Sequence, residues 1–255
     1  MALRIVERSR AVAATFRLVA RRLAVASCGL LALAVWLEAR DALAGAGVSS
    51  QTMSPAELFQ SRAVNVSAPA VLPKWAEMLD RFALQSAEAS GRFVEARTEF
   101  RRMVAAMAAL AEMDRIRAVD AYFNRIPYRD DRLVYGTVDY WATPLEFIDS
   151  AAGDCEDYVA AKLLTLIEAG TDPQTLRLVV YFDRSDQIYH AVLVAKVAGD
   201  LWVLDNRAKE ISKWDDAARA NETAYAASTD DVWAARTRSS FGVPASGLAS
   251  SALPN

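Results

Sequence analysis

The spacing of apolar residues divides the chain into a helical part and a later part with strand-like patterns. Apolar side chains recur at helical spacing over 74–90 and again over 91–124, which predicts two helices. A third helix is predicted over 155–169, because Asp154 suits the N-cap position and Gly170 is typical of the position just after a helix.

The pattern changes after the third helix, where runs of β-branched and aromatic residues are separated by polar turns. Three such runs predict strands over 176–182, 189–197 and 201–206. We expect these strands to form an antiparallel sheet on which the third helix packs, so the predicted fold class is α+β. Residues 207–234 give no firm prediction, and 235–255 have the composition of a disordered tail.

The first 44 residues have the composition of an export signal. Seven arginines flank an uncharged apolar run at 23–37, which is followed by small residues at 42–44. The run is short for a membrane-spanning helix, although an uncleaved N-terminal membrane anchor is the alternative. Both readings predict that the rest of the chain reaches the periplasm, with a flexible linker at 45–72 and a domain at 73–234.

Charge and the count of reactive side chains exclude several classes of function. Removing the seven basic and three acidic residues of the first 44 changes the formal net charge from −3 to −7, which argues against a nucleic-acid partner. Beyond residue 44 the sequence contains one cysteine, Cys155, and one histidine, His190. An intramolecular disulfide is therefore impossible there, and a zinc site built from cysteine and histidine is nearly excluded.

The same two residues, together with one aspartate, are the parts of a thiol nucleophile triad. Cys155 starts the third helix, His190 lies on the second strand, and Asp205 ends the third. A helix N-terminus favours a thiolate and offers backbone N–H groups to an oxyanion. The residues alone leave a second interpretation open, in which Cys155 is a small buried hydrophobe and His190 an ordinary core or surface residue.

The register of the predicted hairpin decides whether His190 and Asp205 can meet. The two residues fall on the same face of the sheet for any even shift of register. A tight turn at Gly199 and Asp200 would leave them about four residues, roughly 13 Å, apart. We therefore predict a wider loop, over 195–200, that places Asp205 directly opposite His190.

The acidic flank of the cysteine has two explanations. Asp154, Glu156 and Asp157 can cap the helix and complement its dipole. Alternatively, three carboxylates within four positions can bind a hard cation such as Ca²⁺, although the spacing is not that of an EF-hand loop. The spacing alone does not decide between them.

Four ordered stretches resemble one known family, the LapG family of bacterial transglutaminase-like cysteine proteinases. The resemblance covers about residues 73–225 and is carried by "FNRIPYRDD", "DYWATPLEFIDSAAGDCEDYVAAKLLTLIEAG", "HAVLVA" and "LWVLDNR". It implies a papain-like or transglutaminase-like core in which Cys155 is the nucleophile, His190 the general base and Asp205 the orienting acid. It also implies that Ca²⁺ is bound by Asp154 and Glu156, with Asp157 as a further candidate.

The resemblance carries expectations about substrate and partner as well. Members of this family cleave a large surface adhesin near its N-terminus, which releases cells from a biofilm. They are inhibited by the periplasmic domain of a membrane receptor that senses cyclic-di-GMP. Two alternatives stay open: a transglutaminase-like amide transferase or cell-wall peptide hydrolase that uses the same triad, and a binding module without catalytic activity.

Overall fold

The computed structural model describes residues 52–59, 63–66, 72–88, 90–229 and 231–235. The predicted export signal and most of the predicted tail lie outside these residues. Within them, no helix combines the length and apolar character needed to cross a membrane.

Helices occupy most of the first two thirds of the described chain. Their bounds within the described residues are α1 (Pro55–Leu58), α2 (Pro73–Ala87), α3 (Val94–Ala108), α4 (Glu112–Phe123), α5 (Asp131–Val134), α6 (Pro144–Ser150), α7 (Cys155–Glu168) and α8 (Trp214–Ala220). The single helix predicted over 91–124 is thus two helices, which are separated by a break at 109–111. The third predicted helix is confirmed as α7, and Gly170 follows it with φ of +91°, a conformation that favours glycine.

The strands form one antiparallel sheet. Their bounds are β1 (Ala63–Val66), β2 (Leu176–Asp183), β3 (Ile188–Val197), β4 (Asp200–Leu204), β5 (Ser212–Lys213), β6 (Glu222–Ala227) and β7 (Val232–Ala235). Across the sheet they run in the order β1-β7-β6-β2-β3-β4-β5. The predicted α+β class, with the cysteine-bearing helix packed on an antiparallel sheet, is confirmed.

The sheet is covered on both faces, which explains why its central strands are apolar at nearly every position. On one face, α7 packs against β2 and β3 and shares a core with α3, α4 and α6. Side chains at alternate positions of the same strands form a second core, whose strand members include Val179, Val192 and Val194. Trp214 of α8 and residues of the N-terminal segment cover this second core.

The segment predicted to be a flexible linker, 45–72, departs from that prediction. It contributes α1 and β1, and β1 pairs with β7 at the edge of the sheet. Met53, Leu58 and Phe59 are buried in the second core. These three apolar residues lie in a segment composed largely of serine, alanine, glycine and proline, so its composition gives little sign of their role in packing.

The β3–β4 hairpin corrects the predicted loop. Val197 pairs with Asp200, so the turn is tight and contains only Ala198 and Gly199, both with positive φ. The prediction of a wide loop over 195–200 was therefore wrong. The turn lies one position earlier than the turn at Gly199 and Asp200 that the sequence suggested. Leu193 pairs with Leu204, so the same register places the next residue, Asp205, opposite Val192. Asp205 is thus a diagonal neighbour of His190, within reach of a side-chain contact.

Candidate active site

The cysteine lies at the first position of α7, with its side chain buried at the junction of helix and sheet. Cys155 is 7% exposed, and its helix packs against β3. Asp154 occupies the N-cap position, and Asp157 accepts a hydrogen bond from the Asp154 N–H at 3.3 Å. The sequence folds this way because an N-cap aspartate followed three positions later by another acid satisfies orphan N–H groups at a helix start.

A short backbone contact brings a second acidic segment to this helix start. Tyr128 forms a parallel bridge with Gly153, and the Arg129 N–H donates to the Gly153 carbonyl at 2.8 Å. A Cβ at residue 153 would lie 2.9 Å from the Phe147 ring and closer still to Asp157. Glycine is therefore required for close packing at this position, and the packing draws α5 towards α7.

Three carboxylates meet as a consequence, and they define the acidic cluster: Asp131, Asp154 and Glu156. One ligand atom from each lies within 4.8 Å of the others. Asp131 and Glu156 are buried, and Asp154 is half-buried. Asp131 Oδ1, Asp154 Oδ1 and Glu156 Oε1 are buried oxygens that have no hydrogen-bond partner among the described residues. Buried oxygens left unpaired in this way are costly, and a hard cation is the ligand that would satisfy all three together.

The acidic cluster shares Asp154 and Glu156 with the predicted ligand set, but it contains Asp131 where Asp157 was predicted. Asp157 Oδ1 accepts from the Ala142 N–H at 2.7 Å, and its other oxygen is used at the helix start. Asp157 is therefore committed to backbone N–H groups and lies outside the cluster. Asp131 takes its place, and the sequence pattern gave no sign of this because Asp131 comes 23 positions before Asp154.

The acidic cluster has strongly perturbed proton affinities. Burial, followed by the charge of nearby carboxylates, raises the pKa of Asp131 to about 6 and that of Glu156 to about 8. Burial and the adjacent Glu156 raise the pKa of Asp154 to about 11. The ionised form of each carboxyl group is therefore disfavoured in this cluster, and a bound cation would favour it.

The histidine and the aspartate meet directly. His190 Nε2 lies 2.8 Å from Asp205 Oδ1, and His190 is 3% exposed. Burial raises the pKa of Asp205, but hydrogen bonds from His190 and from the Arg207 N–H outweigh this and lower the pKa below its ordinary value. Asp205 is thus an ionised acceptor, so His190 Nε2 is the donor in this hydrogen bond.

Arg207 is a further residue beside Asp205, and no motif in the sequence predicted its role. Its backbone N–H donates to Asp205 Oδ1 at 2.9 Å, and its guanidinium donates to Asp183 at 2.9 Å and to Asp186 at 3.1 Å. Asp183 and Asp186 lie at the β2–β3 turn. The guanidinium therefore ties the segment after β4 to that turn, and its positive charge lies near the carboxylate that contacts His190.

The thiol has a different set of partners. Cys155 Sγ donates to Glu156 Oε2 at 3.2 Å, and no hydrogen bond among the described residues joins it to the imidazole. Burial, then the charges of Glu156 and Asp154, raise the pKa of the Cys155 thiol, while a hydrogen bond with the Ala191 backbone opposes the shift. The thiol thus lies against β3 at the residue next to His190, and its burial and the acids beside it favour its protonated form.

Two tyrosines also border the thiol, and no spacing rule would have identified them. Burial, followed by the charges of Cys155 and nearby acids, raises the pKa of Tyr128, whose side chain is nevertheless 60% exposed. Tyr225 of β6 is fully enclosed, and burial and the charge of Glu156 raise its pKa. Both phenols are therefore neutral, and Tyr128 presents an aromatic surface to solvent beside the site.

The fold and these residues define a class of protein, one with a cysteine at a helix start, a histidine on a strand, and an acid that directly follows the neighbouring antiparallel strand. Residues 92–239, more than half of the chain, match the family described as bacterial transglutaminase-like cysteine proteinase, and the chain belongs to that family. No curated protein sequence matches the chain.

Solved structures of Legionella pneumophila LapG have the same fold. The EGTA-treated form has a TM-score of 0.51 and 24% sequence identity over 63% of this chain and 87% of that one. The calcium-bound form has a TM-score of 0.50 and 23% identity over 66% of this chain and 94% of that one. The protein is thus a cysteine protease with a transglutaminase-like fold.

Proposed function

We propose that the protein is a Ca²⁺-dependent cysteine endopeptidase of the periplasm that cleaves a large surface adhesin in its N-terminal region. The observation that carries the proposal is the acidic cluster, which leaves three buried carboxylate oxygens unpaired directly beside the thiol. The solved calcium-bound form of Legionella LapG, which has the same fold, supports Ca²⁺ as the cation.

Asp131, Asp154 and Glu156 would hold the ion through oxygen ligands, which Ca²⁺ prefers. A bound Ca²⁺ would supply positive charge that cancels the effect of these carboxylates on the thiol and competes with the thiol for Glu156. The residues fit this role, because Glu156 Oε2 now accepts from Cys155 Sγ and its other oxygen is unpaired.

The peptide-bond cleavage would use Cys155, His190 and Asp205 as a triad. His190 Nδ1 takes the thiol proton as Cys155 Sγ bonds to the scissile carbonyl carbon, and the same proton then passes to the leaving amine. Water releases the resulting thioester in a second step, with His190 again acting as base. Asp205 keeps the proton of the neutral ring on Nε2 and stabilises the imidazolium, in keeping with the 2.8 Å contact.

The adhesin substrate and an inhibitory receptor are proposals that rest on the resemblance of the sequence. A periplasmic domain of a membrane receptor that senses cyclic-di-GMP would be the inhibitor, and cleavage would release cells from a biofilm. The acidic charge of the chain after residue 44 suits neither nucleic acid nor anionic lipid as a partner.

The decisive experiment incubates the protein with a recombinant N-terminal fragment of a large adhesin from the same organism. We expect two shorter fragments with the natural protein, none with Cys155→Ala, and unchanged cleavage with Cys28→Ala, which removes the other cysteine of the sequence. EGTA should suppress cleavage, and excess Ca²⁺ should restore it.

Three results would contradict the proposal. Cross-linked adhesin would indicate amide transfer, and intact adhesin together with peptides released from isolated cell wall in a parallel incubation would indicate a peptide hydrolase. Cleavage that persists in EGTA would remove the calcium part while leaving the peptidase part intact.

A further inference from the structure

A lysine without exposed surface lies behind the candidate triad. Lys162 is on α7, seven positions after Cys155, so it projects from nearly the same side of the helix about two turns further on. Its Nζ lies 2.7 Å from Asp120 Oδ1 of α4 and 3.5 Å from the carbonyl of Leu204, the residue before Asp205. The proposed chemistry makes no use of this charge.

The partner of the lysine continues the network to the other side of the acid. Asp120 is 3% exposed, and its second oxygen accepts from Asn124 Nδ2 at 3.3 Å. The same amide group lies 3.0 Å from the carbonyl of Asp205 and 3.3 Å from the carbonyl of Ala208. Lys162 and Asn124 together therefore contact three backbone carbonyls at the end of β4 and the turn that follows.

Such an arrangement is an expensive way to stabilise a fold. Burial raises the pKa of Asp120 and lowers the pKa of Lys162, so each group is disfavoured in its charged form by its surroundings. Apolar residues of similar volume often stabilise a core as well as a buried ion pair does. What apolar residues cannot do is fix carbonyl groups at defined positions, which hydrogen-bond donors on a rigid helix can.

We propose that Lys162, Asp120 and Asn124 are positioning residues that hold the backbone around Asp205 at a fixed distance from α7 and thereby align its carboxylate with His190. The inference rests on the proposed role of Asp205 as the orienting acid. It adds residues that do not touch the substrate but set the geometry of those that do.

The first test observes the hydrogen bond itself. Because His190 is the only histidine in the sequence, the full chain labelled with ¹⁵N-histidine gives ring signals from one imidazole. We expect a downfield, slowly exchanging Nε2 proton in the natural protein. In Asn124→Ala, which removes the amide that contacts Asp205 and Ala208, this proton should broaden or move upfield.

A matched control separates positioning from loss of stability. Val119→Ala removes buried methyl groups from α4, the helix that carries Asp120 and Asn124, but removes none of the hydrogen bonds of the network. This variant should lower the melting temperature and leave the Nε2 proton unchanged. If both variants move the proton equally, or neither does, the inference is wrong.

The second test uses cleavage kinetics. Asn124→Ala should lower kcat roughly tenfold to hundredfold with little change in KM, because a misaligned general base affects the chemical step rather than binding. Lys162→Met alone would leave Asp120 buried without its partner and is expected to unfold the chain in part. The double variant Lys162→Met with Asp120→Asn removes both charges, and it should fold while showing the same kcat defect.

The two proposals can fail separately. If the natural protein cleaves no adhesin fragment, the proposed function fails, but the imidazole signal still tests the positioning network. If cleavage occurs and Asn124→Ala retains both full kcat and the Nε2 proton, only the positioning inference fails.

Discussion

Asp131 is the residue whose environment best distinguishes a cation ligand from an ordinary core carboxylate. It accepts a hydrogen bond from the Tyr140 N–H through one oxygen and leaves the other unpaired among the described residues. Burial and the nearby Asp139 and Asp130 raise its pKa to about 6. A buried carboxylate in that position is stabilised by either a proton or a cation. At pH 7, above the pKa of about 6, the proton is mostly lost, which leaves a cation as the stabilising partner.

Asp131→Asn should therefore weaken Ca²⁺ binding roughly tenfold or more, as loss of a charged ligand does in an oxygen-ligand site. Titration calorimetry on the full chain at neutral pH measures the affinity. Asp149→Asn is the control, since its carboxylate is on α6 and contacts Arg92 at 3.2 Å instead. Equal affinity of Asp131→Asn and the natural protein would remove Asp131 from the site.

Asp183 is a second residue with a testable charge. Hydrogen bonds from Ser185 lower its pKa, burial opposes them, and Arg207 lowers it further, so the net pKa is well below the ordinary value. A depressed folded-state pKa stabilises the fold above the unfolded-state pKa of about 3.9, and that stability is lost as pH falls towards the folded-state value.

Asp183→Asn should lower the melting temperature by about 2 to 4 °C at pH 7, as expected for a loss near 1 kcal/mol. The difference from the natural protein should shrink below about pH 4, where the unfolded chain takes up the proton. Calorimetry over this pH range measures the difference in melting temperature between the two proteins. A difference that stays constant with pH would show that the carboxylate charge is not the cause.

At the scale of elements, sequence patterns predicted those parts of the fold whose residues carry a local signal. α7 has an N-cap aspartate and a terminal glycine, and β2, β3 and β4 carry the β-branched and aromatic residues that favour strands. By contrast, β6 and β7 read "ETAYAA" and "VWAA", and alanine has little preference for strands. They are strands because β6 pairs with β2 and β7 pairs with β6 and β1.

In the candidate site, too, some residues could be predicted from the sequence and others could not. Cys155, His190 and Asp205 could be named from their residue types and order, since the sequence beyond residue 44 offers one thiol and one imidazole. Asp131 could not, because the Tyr128–Gly153 bridge that brings its segment to α7 is a long-range contact. The two-residue turn at Ala198 was also missed, since alanine at positive φ is not a usual hairpin residue.

The turn between β3 and β4 holds an alanine in a conformation that suits alanine poorly. Ala198 is exposed with φ of +52°, a strained conformation for alanine that asparagine tolerates better. Ala198→Asn creates the Asn-Gly pair that this turn type favours, and it should stabilise the protein by about 0.5 to 1 kcal/mol. Guanidinium unfolding measures this change in the free energy of unfolding.

The control for this change is Ala106→Asn on the exposed side of α3, where asparagine is a poorer helix former and should lower stability. If Ala198→Asn lowers stability as well, the tight two-residue turn is not the conformation of the hairpin in solution.

For the whole molecule, the second core determines where the folded unit begins. Trp214 and Trp233 lie on the face of the sheet opposite α7, and Met53, Leu58 and Phe59 help to enclose them. Trp214 Nε1 also donates to the Glu57 carbonyl at 3.0 Å, and Thr223 Oγ1 donates to that of Leu58 at 2.7 Å. The segment predicted as a linker is thus part of the second face of the domain.

A chain that begins at residue 73, the boundary predicted from sequence, should therefore be less stable than one that begins at residue 50. Both chains retain all the residues proposed for catalysis, but the shorter one exposes the apolar face that Met53, Leu58 and Phe59 cover. Leu58→Ala in the longer chain should reproduce part of the loss, about 2 to 5 kcal/mol, because the leucine is 1% exposed.

Guanidinium unfolding followed by circular dichroism compares the three proteins. In the shorter chain, tryptophan fluorescence should also shift to longer wavelength in buffer, as Trp214 gains contact with water. Leu84→Ala on α2 is the control for side-chain loss, since Leu84 is 69% exposed and its removal should change stability little. Equal unfolding midpoints for the chains beginning at residues 50 and 73 would mean that the N-terminal segment adds nothing to the folding free energy. The domain would then begin at residue 73, as the sequence predicted.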